Sequence, residues 1–422
     1  MADSSELNSV SNAQRSSRPL VISVRRTGDL AFGITVFLAA FVFFEPAPYE
    51  LLLAFLMVVW FAFGLSLHRG FLPLTFLMAC YILGGMIGAT QRVDITGGFI
   101  YIATTAFLAV SAIFYAALIA ERPVERMAIV SRAYVFAAVI SALVGIAAYF
   151  RLFPGAEGFL FAGRAKGTFE DPNVYSPYLA LAFVLLLRQV LTQPLTRSLL
   201  SAMALAIIVI AIFLAFSRAA WGLTLLSAGL LTVILYATAP SSAARVRLLL
   251  ATVAFAAMAV AALLFILSFD AVSSLFAERA RLVQSYDGAR FGRFARYTYG
   301  LHWIMEAPLG YGFGKFRETF GEDSHNVYLK AFTVHGWLGG LAYLIFIATT
   351  LITGFKHMFR ASPLQPYFQA VYIVILGHAI VGLVIDTDRW RHLYLLFGIL
   401  WGMMAAENAG RSRIASSRAR PQ

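Results

Sequence analysis

A chain of 422 residues that is 60% hydrophobic and only 13% charged cannot clothe a water-soluble domain, which runs at about 45–50% apolar and about 25% charged residues. Its mean hydropathy of +0.78 fits lipid as the solvent. The formal charge of +12 comes without any Lys/Arg face interleaved with aromatics, so nucleic acid is excluded as a partner.

Residues 1–27 form a polar, Ser-rich head carrying Arg15, Arg18, Arg25 and Arg26. No cleavable signal precedes a small-residue site, so the first span reads as an uncleaved anchor. The only cysteine, Cys80, lies in an apolar run and says nothing about compartment. Continuous apolar runs of about twenty residues predict helices, because a helix satisfies its own backbone groups in lipid. Spans are expected at 28–44, 49–67, 71–90, 97–120, 127–150, 174–192, 199–216, 219–239, 248–268, 327–353, 366–385 and 392–407. The expected fold is an all-α polytopic membrane bundle of about 12 transmembrane helices.

An even count places both termini on one side. With the N-terminus cytoplasmic, the inside segments carry about 18 Lys and Arg against about 6 acids, and the outside segments about 15 of each sign. The net charge is then a topology signal. The expected organisation is a cytoplasmic head (1–27), nine spans with an outer loop at 151–173 (28–268), a large outer loop (269–326), three spans (327–407) and a basic cytoplasmic tail (408–422). Long loops with their own pattern are usually functional.

The first outer loop reads Gly163-Arg164-Ala165-Lys166-Gly167-Thr168-Phe169-Glu170-Asp171-Pro172-Asn173. Two glycines bracket two cations, which suits close approach of an anion, and Asn173 is the expected N-cap of the next helix. The plainer reading is a polar loop ending in a cap. Between the seventh and eighth spans, Phe216-Ser217-Arg218-Ala219-Ala220-Trp221 leaves Arg218 between two helix ends. There it either pairs with a ligand or snorkels to headgroups beside an interfacial Trp221.

The large loop contains a helix-like stretch at 289–306. Phe291, Phe294, Thr298, Leu301 and Met305 make one stripe, Arg293 and Arg296 lie off it and Arg290 lies near its edge. This amphipathic pattern suits the membrane surface. Its arginines either hold anionic headgroups or act on substrate. Pro308 and the glycines of Gly310-Tyr311-Gly312-Phe313-Gly314 end it. Ser324-His325-Asn326 follows at the entry to the tenth span. His325 is either a proton acceptor near neutral pH or a helix cap with Asn326. The last outer turn, Asp386-Thr387-Asp388-Arg389-Trp390-Arg391-His392, has an Asp-x-Asp spacing that suits a divalent cation. The flanking arginines favour salt bridges instead.

These cations gather at the outer surface, while the span interiors read as nearly free of ionisable residues, unlike a transporter path. Arginine forks suit a phosphate or pyrophosphate, and the chain has no Walker loop for a nucleotide. A lipid-linked diphosphate donor fits. Arginines would stabilise the departing diphosphate without metal or other cofactor, and a histidine would deprotonate the acceptor hydroxyl.

The motifs Gly167-Thr168-Phe169 to Asn173, Ser217-Arg218 with Trp221, Gly292-Arg293-Phe294 leading to Pro308-Leu309-Gly310-Tyr311-Gly312, Ser324-His325-Asn326 and Trp390-Arg391-His392 resemble those of the O-antigen ligase and O-antigen or exopolysaccharide polymerase superfamily of bacterial inner-membrane glycosyltransferases. Order and spacing agree from about residue 160 onward. The resemblance implies a GT-C-like fold with a partly helical periplasmic loop. It also implies an undecaprenyl-diphosphate-linked glycan donor, metal-independent transfer, and a glycan or lipid A–core acceptor of lipopolysaccharide or exopolysaccharide synthesis. His325, Arg293 and Arg218 would be catalytic: the two arginines on the diphosphate, and His325 as the base or as the residue that orients the acceptor. Arg164, Lys166, Arg290, Asn326, Arg389 and Arg391 would bind substrate. Membrane lipids and polysaccharide-assembly proteins would be the other partners. Tyr297 stands where family members often carry tryptophan, a difference expected to affect packing only. Competing readings are a transporter or flippase of lipid-linked saccharides, and a membrane scaffold.

Overall fold

The computed structural model describes residues 24–92, 94–280 and 292–418. Arg290 and Phe291 lie outside them, and of Arg293 and Phe294 only the helical backbone is described. A helix covers each expected apolar stretch. Five come first: α1 (Val24–Leu38), α2 (Pro48–Ala62), α3 (Leu72–Ala89), α4 (Ile95–Glu121) and α5 (Pro123–Tyr149). Then follow α6 (Pro172–Thr192), α7 (Leu195–Leu214), α8 (Arg218–Ala237) and α9 (Ser242–Leu267). The large loop folds α10 (Asp270–Arg279), α11 (Arg293–Glu306) and α12 (Lys315–Phe320), before α13 (Val327–His357), α14 (Gln365–Val381) and α15 (Arg391–Arg418). The only strands among the described residues are β1 (Leu160–Phe161) and β2 (Arg164–Ala165), paired antiparallel.

Eight of these helices are long and apolar enough to cross a membrane, so the protein is a multi-pass membrane protein. They are α3 to α9 and α13. The others depart from the expected spans for visible reasons: α1 and α2 have 15 residues each and α14 has 17. The last helix does not end at 407 as expected. It runs on to Arg418, because Glu407-Asn408-Ala409-Gly410-Arg411 changes polarity without supplying a helix stop.

The boundaries follow local chemistry. Proline stands in the first turn of α2, α3, α5 and α6, where its missing N–H costs nothing. Asp94, Ser241 and Asn326 cap α4, α9 and α13 through their side chains. The cap of α6 is Asp171 rather than Asn173: its carboxylate accepts the Asn173 N–H at 2.7 Å, since Pro172 fixes the first helical position and places the cap two residues upstream of the expected one.

Helix α6 forms the middle of the bundle, with 78% of its most apolar window buried, whereas α9 has 6% and faces outward nearly all round. In lipid such a face needs no protein cover. On the expected inner side, Arg122 pairs with Asp29, Arg126 with Glu121 and His357 with Glu407, so the helix ends there are tied by ion pairs.

Helix α13 breaks at Gly336, whose φ of +64° suits glycine. Two backbone groups near the break are satisfied by the loop after α11: Trp337 N–H donates to Pro308 O at 2.8 Å, and Tyr311 N–H donates to Thr333 O at 2.7 Å. A Cβ on Gly336 would meet Pro308 O at 2.6 Å. The Pro308–Gly312 motif therefore does more than end α11; it docks into the kink and fixes the large loop against the bundle.

Candidate active site

The connections expected on one face converge. The end of α1, the segment before α6, the α7–α8 turn, the residues before α13 and the α14–α15 connection border one cavity of about 720 Å³. Arg164, Arg218, His325, Arg389 and Arg391 all line it. Five of the nine residues expected to act on substrate are thus brought together from distant parts of the sequence. Lys166 and Asn326 are not in the wall, Arg290 lies outside the described residues, and the side chain of Arg293 is likewise undescribed.

Arg164 is 7% exposed. The hairpin of β1 and β2 directs it inward, where Nε donates to Ala215 O at 2.8 Å and Nη2 to Asn173 Oδ1 at 2.9 Å. It clamps the start of α6 to the end of α7 while still bordering the cavity. The Gly167-Thr168-Phe169 segment beneath it is equally fixed. Gly167 has φ +53°, a Cβ there would meet the Tyr175 ring at 2.5 Å, and Thr168 Oγ1 lies 2.6 Å from Ser141 Oγ. Lys166, between Arg164 and this segment, does not line the cavity.

Arg218 is the first residue of α8, delivered by a turn whose Phe216 has φ +45°. Trp221 is not a free interfacial ring. It stacks on Phe213 and donates Nε1–H to Ile212 O at 3.3 Å, pinning the turn that presents Arg218.

His325 has φ +51°, a conformation that costs a non-glycine residue on the order of 1–3 kcal/mol and persists only when its surroundings impose it. They are in place. The Tyr297 hydroxyl donates to the carbonyls of His325 (3.2 Å) and Leu383 (2.9 Å), so Tyr297 has a hydrogen-bonding role beyond the packing expected of it. Arg296, 2% exposed, bonds Glu322 Oε2 at 2.7 Å and Asp323 O at 3.1 Å. Glu322 in turn lies 3.9 Å from His325 Nε2. On α11, Leu301 and Met305 of the expected apolar stripe are exposed, while Arg296 is buried against the protein, bonded to Glu322 and Asp323 and not to a headgroup or substrate. Asn326 next door is committed to α13, its Oδ1 accepting the N–H groups of Tyr328 and Leu329, both at 3.0 Å.

The Asp-x-Asp acids do not bridge chiefly to the neighbouring arginines, as expected. Both pair with Lys330, which the sequence reading passed over inside an apolar span: Nζ lies 3.2 Å from Asp388 Oδ1 and 3.9 Å from Asp386 Oδ2. Lys330 and Asp388 line the cavity. Asp388 also accepts the Tyr101 hydroxyl, and Arg389 lies 5.1 Å from the Tyr101 ring centre. Burial alone would raise the Asp388 carboxyl, but Lys330, the Tyr101 hydroxyl and Arg389 outweigh it and hold it below the usual range. Burial prevails at Asp386 and lifts its carboxyl, with Lys330 opposing. Arg391 spans two carboxylates, Nε to Glu50 at 2.6 Å and Nη2 to Glu45 at 2.7 Å.

The signal for Lys330 was available: a lysine inside an apolar span marks a site by default. Arg279 and His392 also line the cavity. Arg279 belongs to none of the sequence motifs, and His392 enters only as the last residue of the Trp390-Arg391-His392 motif.

The arrangement offers cations able to hold a multiply charged phosphate group and two imidazoles, His325 and His392, at its wall. Residues 202–344 match the family model for O-antigen ligase, while no curated protein matches the chain. The matched segment contains Arg218, Arg293 and His325. Over those residues the chain is similar to the O-antigen ligase family.

Proposed function

We propose that the protein transfers a glycan from an undecaprenyl-diphosphate-linked donor to an acceptor hydroxyl at the periplasmic face of the bacterial inner membrane, acting as an O-antigen ligase or as an O-antigen or exopolysaccharide polymerase. The observation that carries the proposal is the convergence of Arg164, Arg218, His325, Arg389 and Arg391 on one cavity. Arg218 and Arg293 hold the diphosphate and stabilise the charge it gains as the glycosidic bond breaks. His325 accepts the proton of the attacking hydroxyl or orients it. The arginines neutralise the leaving group in the way a divalent cation would, so the transfer is metal-independent. All twelve apolar helices lie in the membrane in this reading, with both termini cytoplasmic and the cavity periplasmic.

The test is complementation with His325→Ala in a strain lacking the protein, scored by gel for surface polysaccharide, with membrane level and topology checked in the same cells. Loss of polymer with correct insertion supports transfer, and the product left behind separates the activities: unmodified core for a ligase, single repeat units for a polymerase. Normal polymer overturns the reading.

A further inference from the structure

His392, in the cavity wall at the start of α15, touches His378 on α14 behind it through their ring nitrogens, Nε2 to Nε2 at 3.2 Å. His378 is 1% exposed and His392 3%. His378 Nδ1 lies 2.7 Å from Val374 O. A carbonyl can only accept, so Nδ1 of His378 carries a proton. A buried charge without a partner is costly, so both rings are read as uncharged, and Nε2 of His378 is then an acceptor. The 3.2 Å contact needs one proton, which only Nε2 of His392 can supply. One ring nitrogen remains: Nδ1 of His392, left with a bare lone pair on a residue that borders the cavity.

A bare ring nitrogen repels phosphate oxygens, which offer only lone pairs, and attracts O–H or N–H. We propose that Nδ1 of His392 is a saccharide-binding acceptor, receiving a hydroxyl or amide N–H from the sugar next to the donor's diphosphate, with its tautomer set by Val374 through His378. The inference rests on the donor reading above. It divides the cavity by chemistry: cations for the diphosphate, and a proton-accepting point for the sugar. Trp390 and Tyr178, whose rings lie 5.4 and 5.8 Å from that of His392, hold the imidazole in place.

The experiment uses the full chain in nanodiscs with ¹⁵N-labelled histidine, the His392 signals being assigned by their loss in His392→Asn. Nδ1 of His392 is expected unprotonated in the free protein. It is expected to shift on addition of undecaprenyl-diphosphate-linked N-acetylglucosamine and to stay put with undecaprenyl diphosphate. A protonated Nδ1, or a shift with the bare lipid alone, overturns the proposal. Binding of both lipids, followed by native mass spectrometry, is the control. If neither binds, the donor reading fails; if both bind and Nδ1 does not move, only the present inference fails. In transfer assays His392→Leu is expected to raise the donor KM about tenfold, as loss of one hydrogen bond does, with kcat little changed, and His392→Asn, which keeps an acceptor near Nδ1, to restore it. Equal losses of kcat and membrane level in both variants mark a purely structural residue and overturn the proposal.

Discussion

Lys330 Nζ lies 3.2 Å from Asp388 Oδ1 across 58 positions of sequence, with both side chains more than nine-tenths buried. The pair joins α13 to the α14–α15 connection, and through the Tyr101 hydroxyl it reaches α4 as well. Lys330 sits one turn beyond the Asn326 cap, so the same helix start fixes His325, Asn326 and Lys330 relative to one another. A buried ion pair is weak evidence for net stability, but each partner depends on the other.

Lys330→Met leaves Asp388 uncompensated and is expected to cost about 3–5 kcal/mol. The double variant Lys330→Met/Asp388→Asn removes both charges and recovers most of that loss. Thermal unfolding in detergent measures both; a single variant that melts like the parent would show that the pair does not form.

The two acids respond oppositely to pH. Asp386 has a raised carboxyl, so its ionisation opposes folding as the pH climbs through its folded value. Asp386→Asn should gain stability relative to the parent as the pH rises. Asp388 is held below the usual range, so its contribution is present above the ordinary aspartate value and is lost as the pH falls through the folded one. Asp388→Asn should be destabilised at neutral pH and approach the parent in acid. Melting temperatures between about pH 2 and pH 8, a range that extends below the ordinary aspartate value of about 3.9, decide the matter, and parallel trends for the two variants would contradict it.

Asn326 was expected on substrate, yet its side chain caps α13. Asn326→Ala should lose about 1 kcal/mol of stability, whereas Asn326→Asp or Asn326→Ser should lose little, because all three polar residues cap well. Transfer activity should follow the cap. Inactive yet fully stable Asp and Ser variants would return Asn326 to the substrate.

Arg218→Ala should lower transfer about 10²–10³-fold, the usual effect of removing one donor to a developing anion. Arg218→Lys should restore only part of it, since a point charge does not replace a planar fork. Transfer kinetics with normalised membrane protein supply the test, and full activity in the lysine variant would exclude a two-oxygen contact.

Helix positions and candidate cations were largely legible because apolar runs and charge asymmetry are local properties of the chain. The span ends marked by Pro48, Pro123 and Pro172 fall within a few residues of expectation. The roles of Tyr297, Arg296 and Pro308–Gly312 were not legible. Each acts on a partner in another element: the His325 carbonyl, Glu322 and the α13 kink. That Asn326 caps α13 and that Lys166 does not line the cavity were not legible for the same reason, since a polar side chain near a motif shows only by its packing whether it faces a cavity or its own backbone.

The sequence by itself determined that this chain lives in lipid, which connections share a side, and that arginines and one histidine gather there, because hydropathy and charge act over a single helix length. Only the tertiary structure decided which of those residues meet. Arg164, Arg218, His325, Arg389 and Arg391 come to one cavity while Lys166 does not, and Lys330 joins Asp386 and Asp388. Such meetings depend on how helix ends far apart in sequence pack side by side, and on the need of every buried charge for a partner across that packing.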